Sequence, residues 1–273
     1  MFTFPIIDSH VHLLDTRRFK YSWAAGAPAL QRDFSPDDLT FAAAPAIIDA
    51  FVFAEVDVDD PQYLDEARWV EELSKKDKRL KGAVAALPME RGAVLESEMA
   101  QLAKLSVARG VRRLIQNQKD PGYVLQPKFI EAVKLLPRYK LSFDICIFHT
   151  QMENTLAFMR QCPEVSFILD HIGKPGIKAG LLDPWRTHLK AMAQMPNVVC
   201  KLSGVTTEAD HKNWARELLR PYIDHVIDCF GFDRIMYGGD WLATLDWATS
   251  GCSAGEKRKL FRDNAIRAYR LDM

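Results

Sequence analysis

Phe4-Pro5-Ile6-Ile7-Asp8-Ser9-His10-Val11-His12 is an apolar run that ends in two imidazoles. Ile6 and Ile7 have the β-branched character of a buried strand, and His10 and His12 are two residues apart, the spacing at which strand side chains share a face. Two rings on one face at a strand end can converge on one ion or one substrate oxygen. Two solvated histidines would show the same spacing. The chemical reading is favoured by a distant stretch, Ile235-Met236-Tyr237-Gly238-Gly239-Asp240-Trp241, which again runs from apolar strand to carboxylate.

Runs of the same kind recur along the chain. Residues 5–13, 50–56, 81–87, 111–117, 141–148, 166–173, 198–204 and 234–241 are short and rich in Val, Ile and Phe, whereas 62–77, 94–108, 127–139, 153–161, 184–195, 214–230 and 255–269 are longer and amphipathic. In the second amphipathic segment Leu95, Met99, Leu102 and Leu105 repeat every three to four residues, the period of a helix. Near-continuous apolar strands alternating with helices are the pattern of parallel strands covered on both faces. Eight such units over about 250 residues predict an α/β protein, a single (β/α)8 TIM barrel over residues 1–273. The least regular part is an insertion loop at about 14–45, with Tyr21, Trp23, Gly26, Pro28 and Pro45, in which Ser35-Pro36-Asp37-Asp38-Leu39 has the form of a capped helix start. A long loop after a barrel strand lies on the catalytic face, where Trp23 is expected either to wall a pocket or to pack the loop down.

Composition narrows the partners. The 273 residues carry 36 Lys+Arg and 36 Asp+Glu, with no basic stripe and no apolar window long enough for a membrane span, so neither nucleic acid nor membrane is expected. A small neutral or singly charged ligand fits better. The five cysteines are odd in number and widely spaced, with no CxxC pair, which argues for reduced thiols in a cytoplasmic protein. The oligomeric state is left open.

In a barrel of this type the C-terminal strand ends surround one pocket, so residues scattered in sequence can be tested as one constellation. The ends deliver His10 and His12, Glu55, Arg112 and Gln116, His149, Asp170 and His171, Lys201 and Ser203, and Asp240. Each histidine taken singly could be a satisfied core residue. Four of the seven at three convergent ends point to function.

The strings that carry most information are Asp8-Ser9-His10-Val11-His12, Leu169-Asp170-His171-Ile172-Gly173-Lys174-Pro175, Val199-Cys200-Lys201-Leu202-Ser203-Gly204 and Tyr237-Gly238-Gly239-Asp240-Trp241. On these the sequence resembles, over nearly its whole length, the amidohydrolase superfamily, and within it the sugar-lactonase branch of fuconolactone, rhamnonolactone and pyrone-dicarboxylate lactonases. Two departures stand out. Gly239 replaces the usual Ser and Leu242 the usual Pro around the last motif, and Glu55 stands where relatives often have Gln. The resemblance implies hydrolysis of a sugar lactone, with Asp240 as the base that activates water and His171 and Arg112 as further catalytic groups. The residues expected at the substrate are His149, Lys201, Ser203, Gln116, Trp23 and Trp241. A binuclear centre is not expected, because the fourth strand offers no lysine. A single divalent ion such as zinc, held by His10, His12, Asp240 and Glu55, is the expected cofactor, and its necessity is left open. The alternatives are a non-oxidative decarboxylase of the same superfamily and a pyrone-dicarboxylate lactonase, the latter calling for more cationic groups than the strand ends supply.

Overall fold

The computed structural model describes residues 2–239 and 242–273. Eight strands form one parallel sheet in sequence order: β1 Ile6–Val11, β2 Ile48–Ala54, β3 Leu80–Ala86, β4 Ala108–Leu114, β5 Ser142–Cys146, β6 Phe167–Leu169, β7 Val198–Leu202 and β8 Ile235–Tyr237. They make a nearly closed (β/α)8 barrel. Among the described residues the β8–β1 seam is stitched by side chains: Ser9 Oγ donates to the Tyr237 carbonyl at 2.5 Å, and Asp8 Oδ1 accepts from the backbone of His10 at 3.0 Å and of Gly239 at 2.7 Å. The aspartate and serine of the first motif therefore join the seam and hold the backbone of His10.

Each expected strand is present, with boundaries shifted. The fourth starts at Ala108, three residues before the expected Val111, because residues 103–107 do not continue the preceding helix. That helix, expected over 94–108, is a 3-10 turn Met89–Leu95 followed by the short α3 Glu96–Leu102. The outer layer is otherwise α2 Tyr63–Lys76, α4 Pro127–Leu135, α5 Met152–Met159, α6 Trp185–Ala193, α7 Arg216–Phe230, α8 Leu242–Ala248, α9 Ala254–Arg258 and α10 Asn264–Tyr269. Aromatic rings of β5, β6, α4 and α5 pack edge to face between barrel and helices, with Phe143 within 5.9 to 6.3 Å of Phe129, Phe158 and Phe167.

A second apolar cluster lies inside the barrel, where Ile7, Val52, Val84, Ile168 and Met236 surround Tyr269 and Leu271 from the C-terminal segment. This plug fills the interior from the side opposite the strand ends.

The insertion at 14–45 folds back on β1 through the antiparallel bridge Leu14–Phe34. It carries two 3-10 turns, Ser22–Gly26 and Pro28–Leu30, and α1 Pro36–Ala43, whose Ser35–Asp38 capping box satisfies its first turn.

Close packing at the seam sets the position of His10. A Cβ on Gly238 would lie 2.8 Å from His10 Cβ and 3.0 Å from Ser9 Oγ. Gly238→Ala should cost about 1–3 kcal/mol of stability by overpacking, read as the midpoint of urea denaturation, and should lower activity through the displaced ring.

Candidate active site

The strand ends meet around a cavity of about 400 Å³ whose wall includes His12, Glu55, Arg112, Gln116, His171 and Lys174 from the barrel and Trp23 from the insertion. A larger groove of about 1140 Å³ between β1, α1 and α8 also reaches His10 and His12. The smaller cavity is the better candidate because side chains from β1, β2, β4 and β6 converge on it.

The site is built on a buried ion network. Lys201, fully buried on β7, lies 2.8 Å from Asp144 Oδ2 and 2.9 Å from Asp170 Oδ1. Tyr269 of the plug donates its hydroxyl to Asp144. On the cavity side Asp170 Oδ2 accepts from Arg112 at 3.1 Å. Arg112 also binds the Glu55 carboxylate through Nε and the Glu55 carbonyl through its other terminal nitrogen, each at 2.6 Å. Burial alone would push the Asp170 carboxyl up, but Lys201, His10 and Arg112 together hold it well below the usual carboxylate range.

The histidines sit on this network as neutral rings. Lys201 Nζ is 3.1 Å from His10 Nδ1 and Arg112 Nη1 is 3.3 Å from His10 Nε2; both cations only donate, so the neutral ring accepts from one of them. His12 Nδ1 is 2.9 Å from the Ala54 carbonyl and must carry its proton there, which leaves Nε2 with a lone pair 3.3 Å from His10 Nε2. Burial and the charge of Lys201 keep His10 well below its ordinary value, and burial with Arg112 lowers His12 to about 4. His171 is lowered by burial to about 3. Its backbone is left-handed, with φ 51°, in a turn that Ile172, Gly173 and Lys174 continue at positive φ. Gly204 leaves room for it, since a Cβ there would lie 2.7 Å from His171 Cβ.

Several expected residues are not where the sequence suggested. Lys201 does not face substrate but lies inside the barrel, because the short β7 turns it inward between two carboxylates. Ser203 is also buried and meets His171 Nδ1 at 2.9 Å, so it orients that ring. Glu55 is no free metal ligand: Oε1 takes Arg112 and Oε2 accepts from the Asp57 backbone at 2.7 Å. His149, in a 3-10 turn beyond β5, lines a neighbouring cleft with Pro175 and Glu208. Gln116 and Trp23 do line the cavity; Lys174 donates to Gln116 Oε1, and Trp23 Nε1 donates to the Val56 carbonyl at 2.8 Å. Asp240 and Trp241 lie outside the described residues.

Among the described residues, His10, Asp170 and His171 form a group whose ligand atoms all lie within 4.8 Å of one another. Asp170 Oδ1 is buried and has no hydrogen-bond partner of acceptable geometry despite its nearness to Lys201. A buried carboxylate beside neutral imidazoles is a donor set that fits a divalent metal such as zinc, with Asp170 and His171 replacing Glu55 in the expected set. Asp144 and Tyr269 were missed altogether. Asp144 reads as one polar residue within an apolar strand, and nothing local marks Tyr269 as reaching the barrel interior.

The amidohydrolase family model matches residues 7–271. This chain belongs to the amidohydrolase family. It is 31% identical over 292 residues to a protein of Burkholderia multivorans named L-fucono-1,5-lactonase, covering 97% of this chain and 96% of that one. Two solved structures of an amidohydrolase from the same organism superpose on it over 98% of this chain and 100% of theirs. One, with bound HEPES, has a TM-score of 0.87 at 28% identity, and the other, with bound zinc, has 0.86 at 29%.

The depressed histidines set a pH dependence for the metal-free protein. Unfolded rings take up protons below their ordinary value of 6.5, while folded His12 and His171 do not until about 4 and about 3. The unfolded state then binds more protons, so stability should fall as pH drops from about 6.5 towards 4. Urea midpoints measured across this range should show that slope, and His12→Gln should flatten it.

Proposed function

We propose that the protein hydrolyses a sugar lactone to the open-chain sugar acid. The observation that carries this reading is a cavity with indole and amide walls onto which the neutral imidazoles of His12 and His171 open, with His10 and the low-pKa carboxylate of Asp170 buried directly behind them, in a chain similar over nearly its full length to a lactonase. No nucleic-acid or membrane partner is needed, and no helix among the described residues is long and apolar enough to cross a membrane.

Ester hydrolysis requires a polarised carbonyl, an activated water and donors for the oxyanion that forms. Arg112 commits donors to Glu55 and Asp170 and is held rigidly at the cavity wall. It can therefore present its remaining N–H to developing negative charge without reorganisation. His171, oriented by Ser203 through Nδ1, turns its other nitrogen to the cavity as a neutral donor or acceptor. His10, Asp170 and His171 would hold a divalent ion, which supplies Lewis-acid polarisation of the carbonyl when bound. Asp240, three residues beyond β8 in sequence, is proposed as the base that takes a proton from water. Trp241 is proposed to join Trp23 and Gln116 against the sugar.

Proton release from a panel of aldono-1,5- and 1,4-lactones tests the reading. Turnover of at least one uncharged aldonolactone is expected, and Asp240→Asn should lower kcat about 10²- to 10⁴-fold with KM little changed. Release of carbon dioxide from hydroxybenzoates, with none of the lactones opened, would overturn it. Chelation followed by zinc titration should raise the rate of the stripped enzyme if the ion contributes to turnover, and His171→Asn should abolish that response.

A further inference from the structure

The turn after β2 holds a carboxylate that the site described so far does not use. Asp57 lines the 400 Å³ cavity and also an adjoining cleft of about 250 Å³, and Trp23 is the other residue common to both walls. The pair therefore stands at the boundary between the two spaces. Asp57 is half-buried with φ 50°, and among the described residues its carboxylate makes no hydrogen bond. The turn itself is fixed from several directions. Glu55 Oε2 accepts from Asp57 N at 2.7 Å, Arg112 grips the Glu55 carbonyl at 2.6 Å, Glu66 accepts from Val56 N at 3.3 Å, and Trp23 Nε1 holds the Val56 carbonyl at 2.8 Å. An indole face and a carboxylate without a hydrogen-bond partner are thus anchored to the same turn.

We propose that Trp23 and Asp57 form the hydroxyl-binding end of the cavity, a subsite that takes the ring and vicinal hydroxyls of an uncharged polyhydroxy lactone and rejects lactones bearing a carboxylate on the ring. This rests on the lactonase reading and deepens it by naming the substrate class. An indole offers a flat apolar surface to sugar C–H groups, and a carboxylate accepts two neighbouring hydroxyls at once through charge-assisted hydrogen bonds. The electrostatics point the same way. Arg112 and Arg113 are the cations that act on Asp57, and the charge of each is already balanced: Arg112 by Glu55 and Asp170, and Arg113 by Glu90 at 2.6 Å, with the Tyr123 hydroxyl at 3.2 Å. The adjoining cleft adds Asp60, and Asp59, which is paired with Lys20 at 3.2 Å and accepts from Ser22. A ring carboxylate at this end would meet like charge, which is specificity by repulsion. Burial and Glu55 push the Asp57 carboxyl up from its ordinary value, and sugar hydroxyls donating to the charged form would offset that cost.

Two assays with Asp57→Ala and Asp57→Asn test the proposal separately from the lactonase reading, with thermal melting used to verify folding. In calorimetry the probe is a neutral 1,5-anhydrohexitol, which has the ring and hydroxyls but no scissile ester. The wild type should bind it and Asp57→Ala should weaken binding about 10- to 100-fold. In kinetics, KM for uncharged aldonolactones should rise by a similar factor with kcat within about threefold, and Asp57→Asn should narrow the preference over ring-carboxylate lactones at least tenfold. Unchanged probe affinity in Asp57→Ala, or no binding by the wild type, overturns the subsite. Probe binding that depends on Asp57 in a protein that opens no lactone leaves the subsite standing and overturns the lactonase reading instead.

Discussion

Lys201 is the residue on which the interior of this barrel depends. Its ammonium is fully buried between Asp144 and Asp170 and touches His10. Moving such a charge out of water costs several kcal/mol unless partners replace the lost hydration, and a lone ammonium here would lose its proton. Two carboxylates within 2.9 Å reverse that tendency, and the Lys201 pKa is raised in spite of burial. The same contacts keep Asp170 ionised, so neither charge is stable there without the other. Three strands, β5, β6 and β7, are thereby tied through their side chains as well as their ladders.

From this centre the order propagates in both directions along the barrel axis. Towards the plug, Asp144 accepts from Tyr269, so the last helix is recruited into the polar core as well as the apolar one. Towards the cavity, Asp170 holds Arg112, Arg112 holds both ends of Glu55, and Glu55 holds the turn that carries Asp57 and anchors Trp23. Each link is buried or half-buried and each group has few alternative partners. A preorganised wall of this kind reorganises little when charge develops on a substrate, which is the main electrostatic advantage of a folded site over water.

The parts of this arrangement that were legible in the sequence are those set by periodicity and by local strings. Eight apolar runs gave the barrel because a buried parallel strand needs both faces apolar, and His10, His171 and Arg112 were identifiable because they fall where such runs end. Boundaries were less legible where a helix ran short, as at α3, since Leu105 keeps the helical period after the helix has stopped. Roles were least legible where they depend on which way a strand residue faces. Lys201 and Ser203 read as substrate ligands from their position near a strand end, yet one points into the interior and the other to His171. Glu55 read as a free carboxylate because its partner Arg112 is 57 residues away. Asp57 gave no signal, since an aspartate after a strand is ordinary turn chemistry until its backbone is seen in the left-handed region.

The protonation state of the histidines connects this framework to what the site can bind. A divalent ion binds imidazole only in its neutral form, so a histidine of ordinary pKa gives up protons when the metal arrives and loses affinity as the solution becomes acidic. His10, His12 and His171 are already neutral well below that range, because burial and the nearby cations Lys201, Arg112 and Lys174 disfavour imidazolium. Those cations also oppose a metal directly. Asp144, Asp170 and Glu55 offset them, and a carboxylate oxygen of Asp170 lies within 4.8 Å of ligand nitrogens of His10 and His171. The cost of burying Lys201 and Arg112 thus yields two things at once: rings that need no deprotonation before they coordinate, and, without an ion, neutral nitrogens that can hydrogen-bond a carbonyl or a water. A single scaffold of this kind can polarise a carbonyl either way, and the balance rests with how strongly Asp170 is held by Lys201.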